Sequence, residues 1–231
     1  MRHANWSKFA MNLLEAIQKR RSTRAFKPTP IDQELLDTIF TQAQFAPSNC
    51  NTQPWHVSVV SGKMRDELEK RMIADIMGGK APNMSFKPGD QGLKDEFRKR
   101  QIDCAIALYD SVGVKYEEKD KRQALMLKNW QFFGAPHGAF ITMPKDFGEV
   151  NAIDVGIYVQ TLMLLMTANG IGCCPQGALA QFAEPVHELL DIPEGHAILM
   201  GMSFGYPEAE APINNYDVGR DAMLNAVDFY S

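Results

Sequence analysis

Apolar positions along the chain recur first at helical spacing, then in short strand-like runs. Leu13, Leu14 and Ile17 follow Asn12-x-x-Glu15, a capping-box pattern, and predict a helix to about Arg21. Pro28 and Pro30 punctuate the loop that follows. Asp32 is placed to cap a second helix bearing Leu35, Leu36, Ile39, Phe40 and Ala43, ended by Pro47. A short strand is expected over 55–60 and an amphipathic, highly charged helix over 63–77.

The pattern weakens over 78–92, where Gly, Lys, Pro and Asn dominate. A loop that long is usually a lid, a contact or an excursion. Helices are predicted at 93–112 and 119–133, and a strand at 139–143. Residues 152–168 are apolar nearly all round, which predicts a helix buried in the core or at an interface, with Asn169-Gly170 as its C-cap signal. A strand around Cys173, a short helix over 184–190 and a strand over 197–204 follow. Pro207 and Pro212 then interrupt regular structure in an acidic tail, and 222–227 is expected to form a final turn or two of helix. The alternation predicts an α/β or α+β class rich in helix.

Composition narrows the function classes. The 231 residues suit one sizeable core, and a formal net charge of -4 offers no basic surface for nucleic acid. Residues 1–10 are polar and lack a signal-type apolar region, and 155–168 is too short to span a bilayer. Cys50, Cys104, Cys173 and Cys174 form no CxxC pair, so reduced thiols in a cytosolic protein are expected. His3, His56, His137, His187 and His196 are scattered without metal-ligand spacing. No hydrolase motif and no G-x-G-x-x-G fingerprint is present.

Three segments carry candidate chemistry. Arg20-Arg21-Ser22-Thr23-Arg24 fits two roles: cations complementing a helix C-terminus, or planar bidentate donors to a phosphate monoester, with Arg220 able to join from the tail. The segment Pro47-Ser48-Asn49-Cys50-Asn51-Thr52-Gln53-Pro54-Trp55 is either a polar connection or a set of amides and hydroxyls that reads a polar heterocycle or ribityl chain. Pro175-Gln176-Gly177 is a plain turn or a source of free backbone N–H donors. Cys173-Cys174 is open between a redox pair and buried small hydrophobes. Cys50, Trp130 and Phe133 are candidate substrate contacts, with core packing the alternative for the aromatics.

The ordered set Lys19-Arg20-Arg21-Ser22-Thr23-Arg24-Ala25-Phe26, Pro47-Ser48-x-x-Asn51-x-Gln53-Pro54-Trp55, Gly134-Ala135-Pro136, Ile153-Asp154-Val155-Gly156, Gly170-Ile171-Gly172-Cys173-Cys174-Pro175-Gln176-Gly177, 201–205 and Arg220 resembles the nitroreductase-like family of FMN-dependent oxidoreductases. Each motif is weak alone; the order covers nearly the whole chain. The resemblance implies a single α+β domain over 1–231 with a central mixed sheet flanked by helices. It further implies a domain-swapped homodimer in which the tail, 206–231, wraps the partner; the segment 78–94 matches no family motif and is expected to be an excursion that covers the active site.

It also implies that Arg20, Arg21, Ser22, Arg24 and Arg220 hold the FMN phosphate and ribityl chain. Pro47, Ser48, Asn49 and Asn51 would meet the flavin from the other subunit, and Pro175, Gln176 and Gly177 would line the ring edge. Many relatives carry an acidic residue where Gln176 stands. Hydride would pass from NADPH or NADH through flavin N5 to a nitroaromatic or quinone acceptor in a ping-pong cycle, with no catalytic side chain and no metal. Reductive dehalogenation, enoate reduction, flavin-consuming oxygenation and flavin binding without turnover are the alternatives on the same fold.

Overall fold

In the computed structural model, residues 11–87 and 92–231 are described. The polar start at 1–10, His3, and residues 88–91 of the expected excursion lie outside them. Helix α1 (Leu13–Lys19) opens with the predicted capping box: Asn12 Oδ1 accepts the Glu15 N–H at 3.0 Å, and Glu15 Oε2 accepts the Asn12 N–H at 3.2 Å. Helix α2 (Gln33–Ala43) is capped by Asp32, whose Oδ1 accepts the Glu34 N–H at 2.9 Å. Each such cap contributes about 1 kcal/mol.

Strand β1 (His56–Ser61), helices α3 (Gly62–Met77), α4 (Asp95–Ser111) and α5 (Lys119–Leu127), strand β2 (His137–Pro144), helix α6 (Glu149–Ala168), strand β3 (Gly172–Gln176), helix α7 (Glu184–Leu189) and strand β4 (His196–Gly205) complete the regular elements. The sheet order is β1-β2-β4-β3, and every strand pair is antiparallel. This departs from the implied mixed sheet. The parallel pairing at the sheet's edge is a single bridge, Ser22 to Cys173, on the open side of β3.

Alternation along β2 divides the core. Ala139, Ile141 and Met143 face a cluster built with Ile39 of α2 and Tyr158, Leu162 and Met166 of α6. Phe140 faces the opposite cluster, with Leu68 and Met72 of α3, Phe132 and Val186. Gly138 has room for no side chain, because a Cβ there would lie 2.5 Å from the Phe132 ring. Full burial of side chains of this size is worth about 1.5–3 kcal/mol each, so the two clusters fix the sheet between its helical layers.

Two expectations are corrected. The helix predicted over 119–133 ends at Leu127, and Phe132–Gly134 is a 3-10 turn in which Phe132 and Phe133 have φ of 51° and 52°. The reversal drops Phe132 into the core under β2, a tertiary demand that helical periodicity cannot register. Helix α6 starts earlier than expected, at Glu149, and its length and apolarity match those of a membrane span. It packs here against α1, α2 and β3. A stripe of Val150, Ile153 and Ile157 stays exposed, as do Leu13, Leu14 and Ile17 of α1.

Candidate cofactor site

The arginine segment is stitched to the sheet on one side and to the tail on the other. The Thr23 N–H donates to the Cys173 carbonyl at 3.0 Å, and the buried Thr23 side chain fills the space over Gly172, where a Cβ would lie 2.5 Å from Oγ1. From the tail, buried Asn214 closes on the same segment. Its Oδ1 accepts the N–H groups of Arg24 (2.7 Å) and Ala25 (3.2 Å), and its Nδ2 donates to the carbonyls of Ala25 (2.8 Å) and Glu208 (2.9 Å). The Arg24 guanidinium lies between the rings of Phe133 and Tyr216, 5.9 Å from each centroid, and donates to the Tyr216 hydroxyl. Burial pushes the Tyr216 hydroxyl pKa up, and the Arg24 charge partly offsets it.

These contacts frame a cavity of about 850 Å³ lined by Arg20, Arg21, Ser22, Arg24 and Arg220. The tail arginine and the N-terminal cluster therefore meet in one place. Among the described residues, none of these four arginines lies within ion-pair distance of a carboxylate. Asp217 also lines the cavity, but its Oδ1 accepts the Gly219 N–H at 2.9 Å. Convergent guanidiniums repel one another unless an anion joins them, and phosphate takes their planar donors bidentately. The volume is within the range of small-molecule and cofactor sites. Donor chemistry and space together fit the phosphate and ribityl portion of FMN.

Behind this wall lie Cys173 and Cys174, both buried. Burial pushes the Cys173 thiol up to about 12, and raises Cys174 against the opposing pull of Arg24 and Ser22. Neither is primed as a thiolate, so the small-hydrophobe role holds over the redox pair. Among the described residues, no group of three or more His, Cys, Asp or Glu is arranged to hold a metal.

Other predicted residues lie elsewhere. Pro47, Asn49, Cys50 and Asn51 are exposed and Ser48 is half-buried, and none of them lines the arginine cavity. The loop is nonetheless shaped: the Asn49 N–H donates to Asp154 Oδ1 at 3.0 Å and the Gln53 N–H to Ser48 Oγ at 2.9 Å. Pro175 is half-buried and Gly177 exposed at the end of β3, also outside that cavity. Gln176 is buried, its Nε2 donating to the Asn129 carbonyl at 2.8 Å and its Oε1 accepting from the Ser203 hydroxyl. That amide is committed within the chain, where a carboxylate would lose the donor to Asn129.

Trp130 takes the core-packing place that was the alternative to substrate contact. Its indole N–H donates to the Ala178 carbonyl at 2.9 Å, its ring meets Phe182 edge-on at 5.8 Å, and it belongs to the core. Phe133 is likewise buried, with the Arg24 guanidinium over its ring. The sequence offered no sign of Asn214, Tyr216 or Asp154 as site-shaping residues, because each acts across a long chain separation with no local pattern. For Asp154, its place in the family-like string Ile153-Asp154-Val155-Gly156 was the nearest signal.

An antiparallel sheet between helical layers, with a cluster of guanidiniums at its edge, defines an α+β protein whose cavity fits a phosphorylated cofactor. The Nitroreductase family model matches residues 17–206, and the chain belongs to that family. It is 37% identical to nitroreductase NfnB of Mycolicibacterium smegmatis over 214 residues, covering 92% of this chain and 90% of that protein. It is 31% identical to a 4-nitrobenzoate reductase of Pseudomonas putida, covering 89% of each. Among solved structures, the FMN- and NADPH-dependent nitroreductase NfnB of Sphigopyxis sp. strain HMH superposes with a TM-score of 0.92 at 32% identity, over 96% of this chain and 100% of that one.

Proposed function

We propose that the protein is an FMN-dependent oxidoreductase that uses NADPH or NADH to reduce nitroaromatic compounds, with quinones as further acceptors. The observation that carries this is the convergence of Arg20, Arg21, Arg24 and Arg220 on one cavity. Bound FMN supplies two-electron hydride chemistry between donor and acceptor. The residues bind and orient it. The arginines and Ser22 hold the phosphate end, Asn214 keeps the Arg24 backbone in place, and Pro175, Gln176 and Gly177 border the ring. Each turnover consumes one NAD(P)H and one proton: a nitro group becomes nitroso with loss of water, and a second equivalent yields the hydroxylamine.

Pro47, Ser48, Asn49 and Asn51 complete the site from a second copy, since in one chain they stand apart from the cavity. The homodimer covers the apolar stripe of α1 and α6. The chain forms one domain, with 78–87 and 92–94 over the active site and the tail 206–231, exposed at Leu224, Phe229 and Tyr230, wrapping the partner. The free thiols suit the cytoplasm. Steady-state assay tests the proposal. NADPH oxidation should rise well above background when 4-nitrobenzoate or a nitrofuran is added to flavin-loaded enzyme, and a rate that stays at background rejects the nitroreductase activity.

A further inference from the structure

Asp154 is a buried carboxylate on α6, and its environment is lopsided. Oδ1 accepts the Asn49 N–H at 3.0 Å, while Oδ2 is buried with no hydrogen-bond partner among the described residues. Burying a carboxylate for one hydrogen bond costs stability that an apolar residue of similar size would not. The one bond it makes goes to the loop at 47–55. That loop is strained: Cys50, Asn51 and Gln53 have φ of 49°, 57° and 45°, in the left-handed region, with no glycine among them. Such a run persists only where surrounding contacts over-determine it, and strained segments of this kind cluster at ligand-binding sites. Among the described residues, the Ser48 hydroxyl and the Gln53 amide bond the loop from within, and Asp154 bonds it from α6.

We propose that Asp154 is a positioning residue: from α6 it holds residues 49–53 in the shape with which that loop meets the flavin of a second copy. The proposal rests on the assignment of Ser48, Asn49 and Asn51 to the cofactor made above. It predicts a split between stability and affinity that a purely structural role would not give.

The test uses the full-length protein with Asp154→Leu, which fills the space without an acceptor, and Asp154→Asn, which keeps one. In Asp154→Leu, thermal stability should be unchanged or higher. Amide exchange over 49–53 in the flavin-free protein should rise tenfold or more, and the FMN dissociation constant should rise about tenfold or more, the range for loss of a charge-assisted bond. The visible circular dichroism of bound flavin should change as well. Asp154→Asn should stay within about threefold of the parent in both affinity and exchange, because its amide oxygen still accepts. Unchanged exchange over 49–53 in Asp154→Leu overturns the proposal, as does equal loss of affinity in both variants with exchange raised along the whole chain. A loosened loop with unchanged FMN affinity overturns the link to flavin. Failure of the parent protein to take up FMN instead rejects the proposed function, and the exchange measurement still reads the hold of Asp154 on the loop.

Discussion

Asn214 satisfies the backbone at Arg24 and Ala25 on both its donor and acceptor sides, so one amide joins the arginine segment to the tail. Asn214→Ala should lower unfolding free energy by about 2–4 kcal/mol, since several backbone groups lose a partner at about 1–3 kcal/mol each. Arg20→Ala with Arg24→Ala should act differently. Urea unfolding should move little, while the FMN dissociation constant rises about 100-fold or more in a fluorescence titration; unchanged flavin content rejects the phosphate assignment. The arginines were legible in the sequence because they are contiguous and flanked by hydroxyls. Asn214 was not, because its partners at Arg24 and Ala25 lie near the other end of the chain and an Asn pair between Pro212 and Tyr216 carries no pattern.

His137 adds a pH dependence. Its Nε2 accepts the Ile31 N–H at 2.8 Å, its ring stacks on Phe204, and burial lowers its pKa. The folded state therefore favours the neutral ring. The stability this contributes is full above the unfolded value of about 6.5 and is lost as pH falls toward the depressed folded value. Urea midpoints should fall between pH 7 and pH 5, and the slope should flatten in His137→Gln, which can still accept from Ile31.

Most elements were legible because their signals are local. Asn12 and Asp32 cap the helices they were expected to cap, and the β2 and β4 runs are short, apolar and bounded by turns. Failure came where tertiary demand overrode periodicity: Phe132 and Phe133 continue a helical pattern but turn left-handed to reach the core and Arg24. Strand direction was likewise invisible, since pairing is set by connections and not by composition. Helix α6 was foreseen as apolar all round, and Ile153 and Ile157 stay exposed on the face proposed to meet a second copy. Ile153→Asp with Ile157→Asp should convert the dimer to a monomer in light scattering, with loss of bound flavin, because charges at an apolar interface are left desolvated. A dimer that survives this pair removes α6 from the interface.

Across the whole molecule, a single chain brings together one part of the proposed site. The phosphate cluster and its tail clamp converge, while the loop at 47–55 and the end of β3 stand outside that cavity. The sequence carried the identities of these segments but not their distances, which depend on how α1, β3 and the tail pack. The most direct measurement of the cofactor chemistry is the visible absorbance of the purified protein before and after anaerobic addition of NADPH. A yellow dimer with one FMN per chain that bleaches on addition is the predicted result. A colourless protein that takes up no FMN, or a yellow one that NADPH leaves unbleached, would contradict it.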